Sequence, residues 1–230
     1  MAARRYRFLY LIIALMIVFL LSLEFFLPAL LANMLEDYLR KEADSIAYLK
    51  IELASFPAVK LLRGKIDQAE IELEGLLLDE LSLDKLDLHY KGVILKEDGF
   101  TGHNTWLEAI ISEEALNNYI KAKFPELEAF QLELRPDQVY LAGKINFFEM
   151  VLELQLSGNF IVNDQREVYF IPANVRIENI DIPVNLLKAY IEGLDFSFNL
   201  EDLNIPLAID EIKLNSGYLI LLGGDNREEK

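Results

Sequence analysis

The chain has 230 residues, a formal net charge of −16, no cysteine and 53% hydrophobic residues. The missing cysteine excludes disulfides, thiolate catalysis and zinc–thiolate sites. The acidic balance repels phosphate backbones, so nucleic acid is not an expected partner, and lipid binding would have to come from apolar burial rather than a basic patch.

Arg4, Arg5 and Arg7 precede an apolar run from Phe8 to Leu23, which Glu24 interrupts and Phe25 to Ala32 resumes. As a helix the first run covers ~24 Å, and with its resumption it spans a hydrocarbon core of ~30 Å. The arginines predict a cytoplasmic tip at residues 1–7 and an extracytoplasmic main domain. The run is longer than the apolar region of a cleaved signal peptide, and its best small-x-small site places Leu30 at the −3 position. A lipoprotein signal needs a cysteine. Residues 8–32 therefore read as an uncleaved single-pass signal anchor, with Glu24 near the outer interface, where a carboxylate reaches water. No Gly/Ser-rich or Pro-rich linker divides the chain after residue 33. Residues 33–223 read as one domain and the charged residues 224–230 as a disordered tail.

After Pro28, Leu31, Leu35, Tyr38, Leu39 and Ile46 recur at helical spacing, which predicts an amphipathic helix leading into the domain. A short strand, Leu49–Leu53, leads to a compact turn from Phe56-Pro57 through Leu61 and Leu62 to Gly64. Ala69, Ile71 and Leu73 alternate with acidic residues. Leu81 and Leu83 continue in odd phase and Leu86, Leu88 and Tyr90 in even phase, which predicts a bulge or tight turn near Asp84-Lys85. Trp106–Ile111 is a further predicted strand.

Ser112–Phe124 carries the clearest helix signals. Ser112 suits the N-cap, Glu113 and Glu114 the positive end, Lys121 and Lys123 the negative end, and Pro125 stops it. Phe130–Leu134 and Val139–Ile145 flank the turn Arg135-Pro136-Asp137. Phe148–Val162 alternates over a length of roughly 45 Å, with the even positions apolar and Gly158 as the place to bend. A strand of that length predicts a large curved sheet around an elongated apolar interior. Val168–Ile177 follows, then a short helix from Pro183 to about Glu192, a strand with Phe196 and Phe198 on one face, and the closing segments Leu207–Leu214 and Tyr218–Leu222.

No catalytic constellation emerges. His89 and His103 could join Asp87 and Asp98 around a metal, but their spacing does not require it, and they read as polar residues at a sheet edge. Nucleophile-elbow and phosphate-loop patterns are absent. The expectation is a protein without cofactor, metal or catalytic residues, hence not an enzyme.

Several patterns taken together resemble the LmeA-like phospholipid-binding family of bacteria. They are Phe56-Pro57 with Leu61-Leu62-Arg63-Gly64, the strand from Gly64 to Gly75, Leu81 to Tyr90, and the helix Ile111–Ile120. Val139-Tyr140-Leu141-Ala142-Gly143, Leu207-Ala208-Ile209 and Tyr218–Gly223 complete the set. The resemblance implies an extracytoplasmic phospholipid binder serving envelope maintenance. It also implies an α+β fold similar to tubular lipid-binding proteins: a transmembrane helix, then a long, curved, mostly antiparallel sheet wrapped around one or two amphipathic helices. Members of that family are secreted or periplasmic, whereas this chain is expected to keep its anchor, which favours local presentation of lipid over transport.

The partners expected are a phospholipid or other acyl-chain lipid, the membrane itself, and an envelope protein if the module is an adaptor instead. A lipid or glycan hydrolase is a third reading. The residues expected to wall a lipid site are Phe56, Leu62, Trp106, Leu116, Tyr119, Ile120, Phe124, Phe148, Met150, Leu152 and Leu154. Taken singly, each of them reads more readily as a plain core residue.

Overall fold

The apolar run and the amphipathic stretch after Pro28 form one continuous helix, α1 (Ala2–Glu42), with Pro28 inside it. The computed structural model describes residues 2–43, 45–78, 80–96, 99–147, 150–163, 167–178, 180–183, 197–199 and 208–224. The expected helix at 183–192, residue Phe196 and the tail beyond 224 lie outside them, apart from Pro183. Within α1, Pro28 lacks the N–H that would bond the carbonyl of Glu24 one turn back.

The two halves of α1 have different surroundings. Every residue from Tyr10 to Leu21 is exposed. Further along, Leu27 is buried, and Leu31, Leu39 and, just past the helix end, Ala43 pack against the core. This second half lies against β1 (Tyr48–Ala54) and the 3-10 turn that follows it (Ala58–Arg63). Residue 45 bridges Leu77 and residue 48 pairs with Glu74, while Glu24 reaches the turn at Ala58. The helix therefore runs antiparallel beside β1, and its bare half projects past the end that carries the turn.

The strands form two sheets in which every pairing among the described residues is antiparallel. The first orders β1, β2 (Lys65–Leu78), β3 (Leu81–Lys96), β4 (Gly99–Ser112), β12 (Tyr218–Gly223) and β11 (Ile209–Asn215). The second orders β10 (Ser197–Asn199), β8 (Glu167–Ile177), β7 (Met150–Asn163), β6 (Val139–Phe147) and β5 (Gln131–Leu134), with β9 (Ile180–Ile182) beside β8. The one long sheet expected is thus divided in two. The strand expected at Trp106–Ile111 begins at Gly99, because the polar residues ahead of Trp106, which do not alternate, still pair with the end of β3.

The β2–β3 hairpin shows why its alternation breaks. Buried positions in β3 run 81, 83, then 86, 88, 90, then 93. The first slip is at Asp84, opposite Gly75 (φ 60°), and the second at Gly92 (φ 64°), opposite Asp67. A left-handed glycine on one strand thus faces an aspartate on the other at each slip, and both strands change phase together. In β7 the even positions from Leu154 to Phe160 are buried. Ser157 pairs with Asn174 but Gly158 with Pro172, leaving Ala173 as an extra residue. A Cβ on Gly158 would collide with the Ile171 carbonyl oxygen, so glycine is required at this bend.

Helix α2 (Glu113–Lys123) links the sheets, packing on β3 and β4 of one and β5 of the other. The Ser112 hydroxyl accepts from Ala115 N at 3.3 Å. Asn117 donates to the Leu132 carbonyl and accepts from the Leu132 N–H, both at 2.8 Å, while a Glu113 carboxylate oxygen accepts from Leu134 N at 2.7 Å. These bonds occupy backbone groups of β5, an edge strand that would otherwise present them unpaired. Leu116 and Ile120 are fully buried between the layers.

Candidate functional site

An open groove of about 560 Å³ lies where α1 passes the end of β1. Glu24, Phe25 and Pro28 of α1 form one side, and Leu53 to Phe56 form the other. Asp67 and Gln68 of β2 and Lys91 of β3 close the third. Its walls mix the apolar Phe25, Pro28, Leu53 and Phe56 with the charged Glu24, Asp67 and Lys91.

The polar groups at this groove hold backbone in place. A Glu24 carboxylate oxygen accepts from Ala58 N at 2.8 Å, the amide that opens the 3-10 turn, and Ala58 is wholly buried. Asp67 accepts from Phe56 N at 2.9 Å and from Lys60 Nζ at 2.9 and 3.1 Å. The Phe56 amide, with Lys60 beside it, holds the Asp67 carboxyl below the usual carboxylate range. The Ser55 hydroxyl donates to the Lys65 carbonyl at 3.1 Å. Gly64 (φ 68°) ends the turn, and its N–H returns to the carbonyl of Leu61. Two carboxylates, a hydroxyl and an ammonium are thus engaged in fixing the loop beside the groove.

Turn geometry divides the apolar residues of this loop. Ala58 and Leu61 enter the core, whereas Phe56 is 79% exposed, Leu62 69% and Val59 39%. Phe25 and Phe26, just past Glu24 on α1, are also exposed.

The residues expected to wall a lipid site fall into separate groups. Phe56 lines the groove and Leu62 stands on the adjoining turn. Leu116, Tyr119, Ile120 and Leu154 are buried in the common core, with Phe124 packed against it and its ring 6.2 Å from that of Tyr119. Leu152 is half-buried, Met150 is exposed at the start of β7, and Phe148 lies outside the described residues. Trp106 is on the outer face of the first sheet, 5.0 Å from the His89 ring.

That outer face holds a second, smaller cleft of about 180 Å³, lined by Lys50, Glu52, Glu70, Glu72, Asp87 and His89. Lys85 bonds Asp87 at 2.7 Å, and His89 Nδ1 lies 3.7 Å from Glu70. Its carboxylates disfavour a phosphate. Among the described residues no cluster of His, Asp or Glu could hold a metal ion, and the side chain of His103 is not among those described.

Sequence reasoning treated Glu24 as a solvated interfacial carboxylate and did not select Phe25, Pro28, Leu53, Asp67 or Lys91. An acidic residue inside an apolar run, followed at once by Phe25-Phe26, was the signal present. Its partner is a backbone amide 34 residues away, which has no sequence signature.

A long helix, bare in its first half and docked in its second, leads a two-sheet α+β protein with an apolar groove beside the helix. Among the described residues α1 alone is long and apolar enough to cross a membrane. Residues 23–224 match the LmeA-like phospholipid-binding family, and the chain belongs to it. That family is defined by lipid binding rather than as a class of enzymes. No curated protein and no solved structure gives a significant match.

Proposed function

We propose that this is a membrane-anchored, non-catalytic phospholipid-binding protein whose sheet domain lies outside the cytoplasm and serves the cell envelope. The supporting observation is the groove beside α1, which adjoins the residues where the apolar run ends. A lipid leaving the bilayer would keep its acyl chains against Phe25, Pro28, Leu53 and Phe56. Its phosphate would come toward Lys91. Each acyl methylene kept from water contributes ~0.8 kcal/mol. Of the residues expected to wall a lipid site, Phe56 carries this reading, with Leu62 beside it; the α2 stripe and Leu154 serve the core.

The test is photolabelling of the full chain in phospholipid vesicles that contain a lipid with a diazirine in one acyl chain. Labelled peptides should include Leu53–Phe56, and Ala54→Trp, which fills the groove, should remove that label. Label confined to residues 8–23 would overturn the reading. Lipids recovered from the same vesicles should be intact; free head groups or lysolipid would end the non-catalytic part.

A further inference from the structure

We propose that the 3-10 turn is a membrane-docking surface, with Phe56, Val59 and Leu62 entering the interface of the same membrane that α1 crosses. The inference rests on the reading of α1 as a span. Its first ground is length. The apolar run Phe8–Leu23 measures ~24 Å as a helix, about 6 Å short of a typical hydrocarbon core. The span completes itself only by taking in the next helical turn, Glu24 to Leu27.

That turn of α1 is not free to enter the membrane alone. Glu24 is hydrogen-bonded to Ala58 at 2.8 Å, and Leu27 is buried in the domain. Wherever Glu24 goes in depth, the 3-10 turn goes with it. The domain is therefore lowered until its turn meets the headgroup region, a depth at which amphipathic segments bury their apolar side by about 5–10 Å.

The turn carries the side chains such a position requires. Three exposed apolar residues, Phe56, Val59 and Leu62, are grouped on a six-residue turn and its approach, and exposed Phe25 lines the groove with Phe56. Arg63 and Lys65 follow at once, both exposed, in a chain whose net charge is −16. Cations placed just above an apolar tip suit the phosphate layer. The bond to Glu24 also consumes the carboxylate that would otherwise resist this depth. Docking there sets the groove mouth at the level of the lipids it would receive.

The absence of native cysteine lets single probes be placed at will. Full-length Leu62→Cys, Val59→Cys, Val18→Cys and Glu114→Cys are labelled with an environment-sensitive fluorophore. They are reconstituted in phosphatidylcholine vesicles with one quarter phosphatidylglycerol. Glu114 is exposed at the start of α2, at the far end of β4 from the turn. Iodide should quench the probes at Leu62 and Val59 about fivefold less than that at Glu114, and lipids spin-labelled high on the acyl chain should quench them strongly. If Val18 is shielded but Leu62 is quenched by iodide as readily as Glu114, docking is overturned and the span survives. If iodide reaches Val18 as well, the span itself fails and docking fails with it. Neither result depends on whether the groove takes up photolabel, so lipid binding is judged separately.

Discussion

Helix α2 and the 3-10 turn after β1 carry similar apolar side chains and treat them oppositely. Leu116 and Ile120 are sealed between two sheets, whereas Phe56 and Leu62 stand more than two-thirds exposed. Each element is fixed by carboxylates that accept backbone amides: Glu113 holds Leu134 beside α2, and Glu24 and Asp67 hold Ala58 and Phe56 at the turn. The polar bonds are therefore not what separates them. What separates them is that α2 is enclosed between two sheets, whereas the turn packs on α1 and β2 and leaves its outer apolar side chains at the surface. Helix α2 builds the domain, whereas the turn holds Phe56 and Leu62 in the open by its backbone bonds.

The sharpest way to break this contrast is to truncate one leucine in each place. Leu116→Ala should cost about 3 kcal/mol of unfolding free energy, because it opens a cavity at a wholly buried site. Leu62→Ala should change stability by less than about 0.5 kcal/mol in detergent solution, as surface substitutions do. Urea denaturation of both variants checks this, and equal losses would show that Leu62 is part of the core. Next in size is Glu24→Ala, which leaves the buried Ala58 N–H without its acceptor and should cost about 2 kcal/mol. Hydrogen exchange at Ala58 should quicken, while Glu24→Gln, which keeps an acceptor, should restore most of the protection. On the α2 side, Ser112→Ala removes the N-cap and should cost about 1 kcal/mol, read in the same denaturation assay.

Much of this arrangement can be read in the residues, and the limit has a physical cause. Local signals held well: the capping set around Ser112–Pro125 gave α2, the alternation from Phe148 onward gave β7, and Gly158 marked its bend. The phase change at Asp84 was visible because Leu83 and Leu86 flank it. Its counterpart at Gly92 was not, since Val93, Ile94 and Leu95 follow one another and show no alternation whose phase could be read. Pro28 does not interrupt α1, because packing of Leu27, Leu31 and Leu39 on the sheet outweighs one lost backbone bond. The groove was the least legible part. It depends on Glu24 meeting Ala58 and Asp67 meeting Phe56, contacts across 34 and 11 residues that leave no periodic trace.

The mildest perturbation concerns the charge on Asp67. Its pKa lies below the ordinary carboxylate value because the ionised form accepts from Phe56 N–H and Lys60. A depressed carboxyl favours the ordered turn fully above the unfolded value of about 3.9, and that contribution is lost as pH falls through the lower folded value. Lysine side chains are cationic throughout acid pH, so protonation of Asp67 alone removes the ion pair. Amide exchange at Phe56, corrected for intrinsic rates, should therefore lose protection as pH falls below about 4. Leu116 on α2 should keep its protection longer. Asp67→Asn should flatten the Phe56 profile in that window, since the amide side chain can still accept from Phe56 but no longer titrates. If the Asp67→Asn variant kept the original acid limb, another carboxylate would govern the turn.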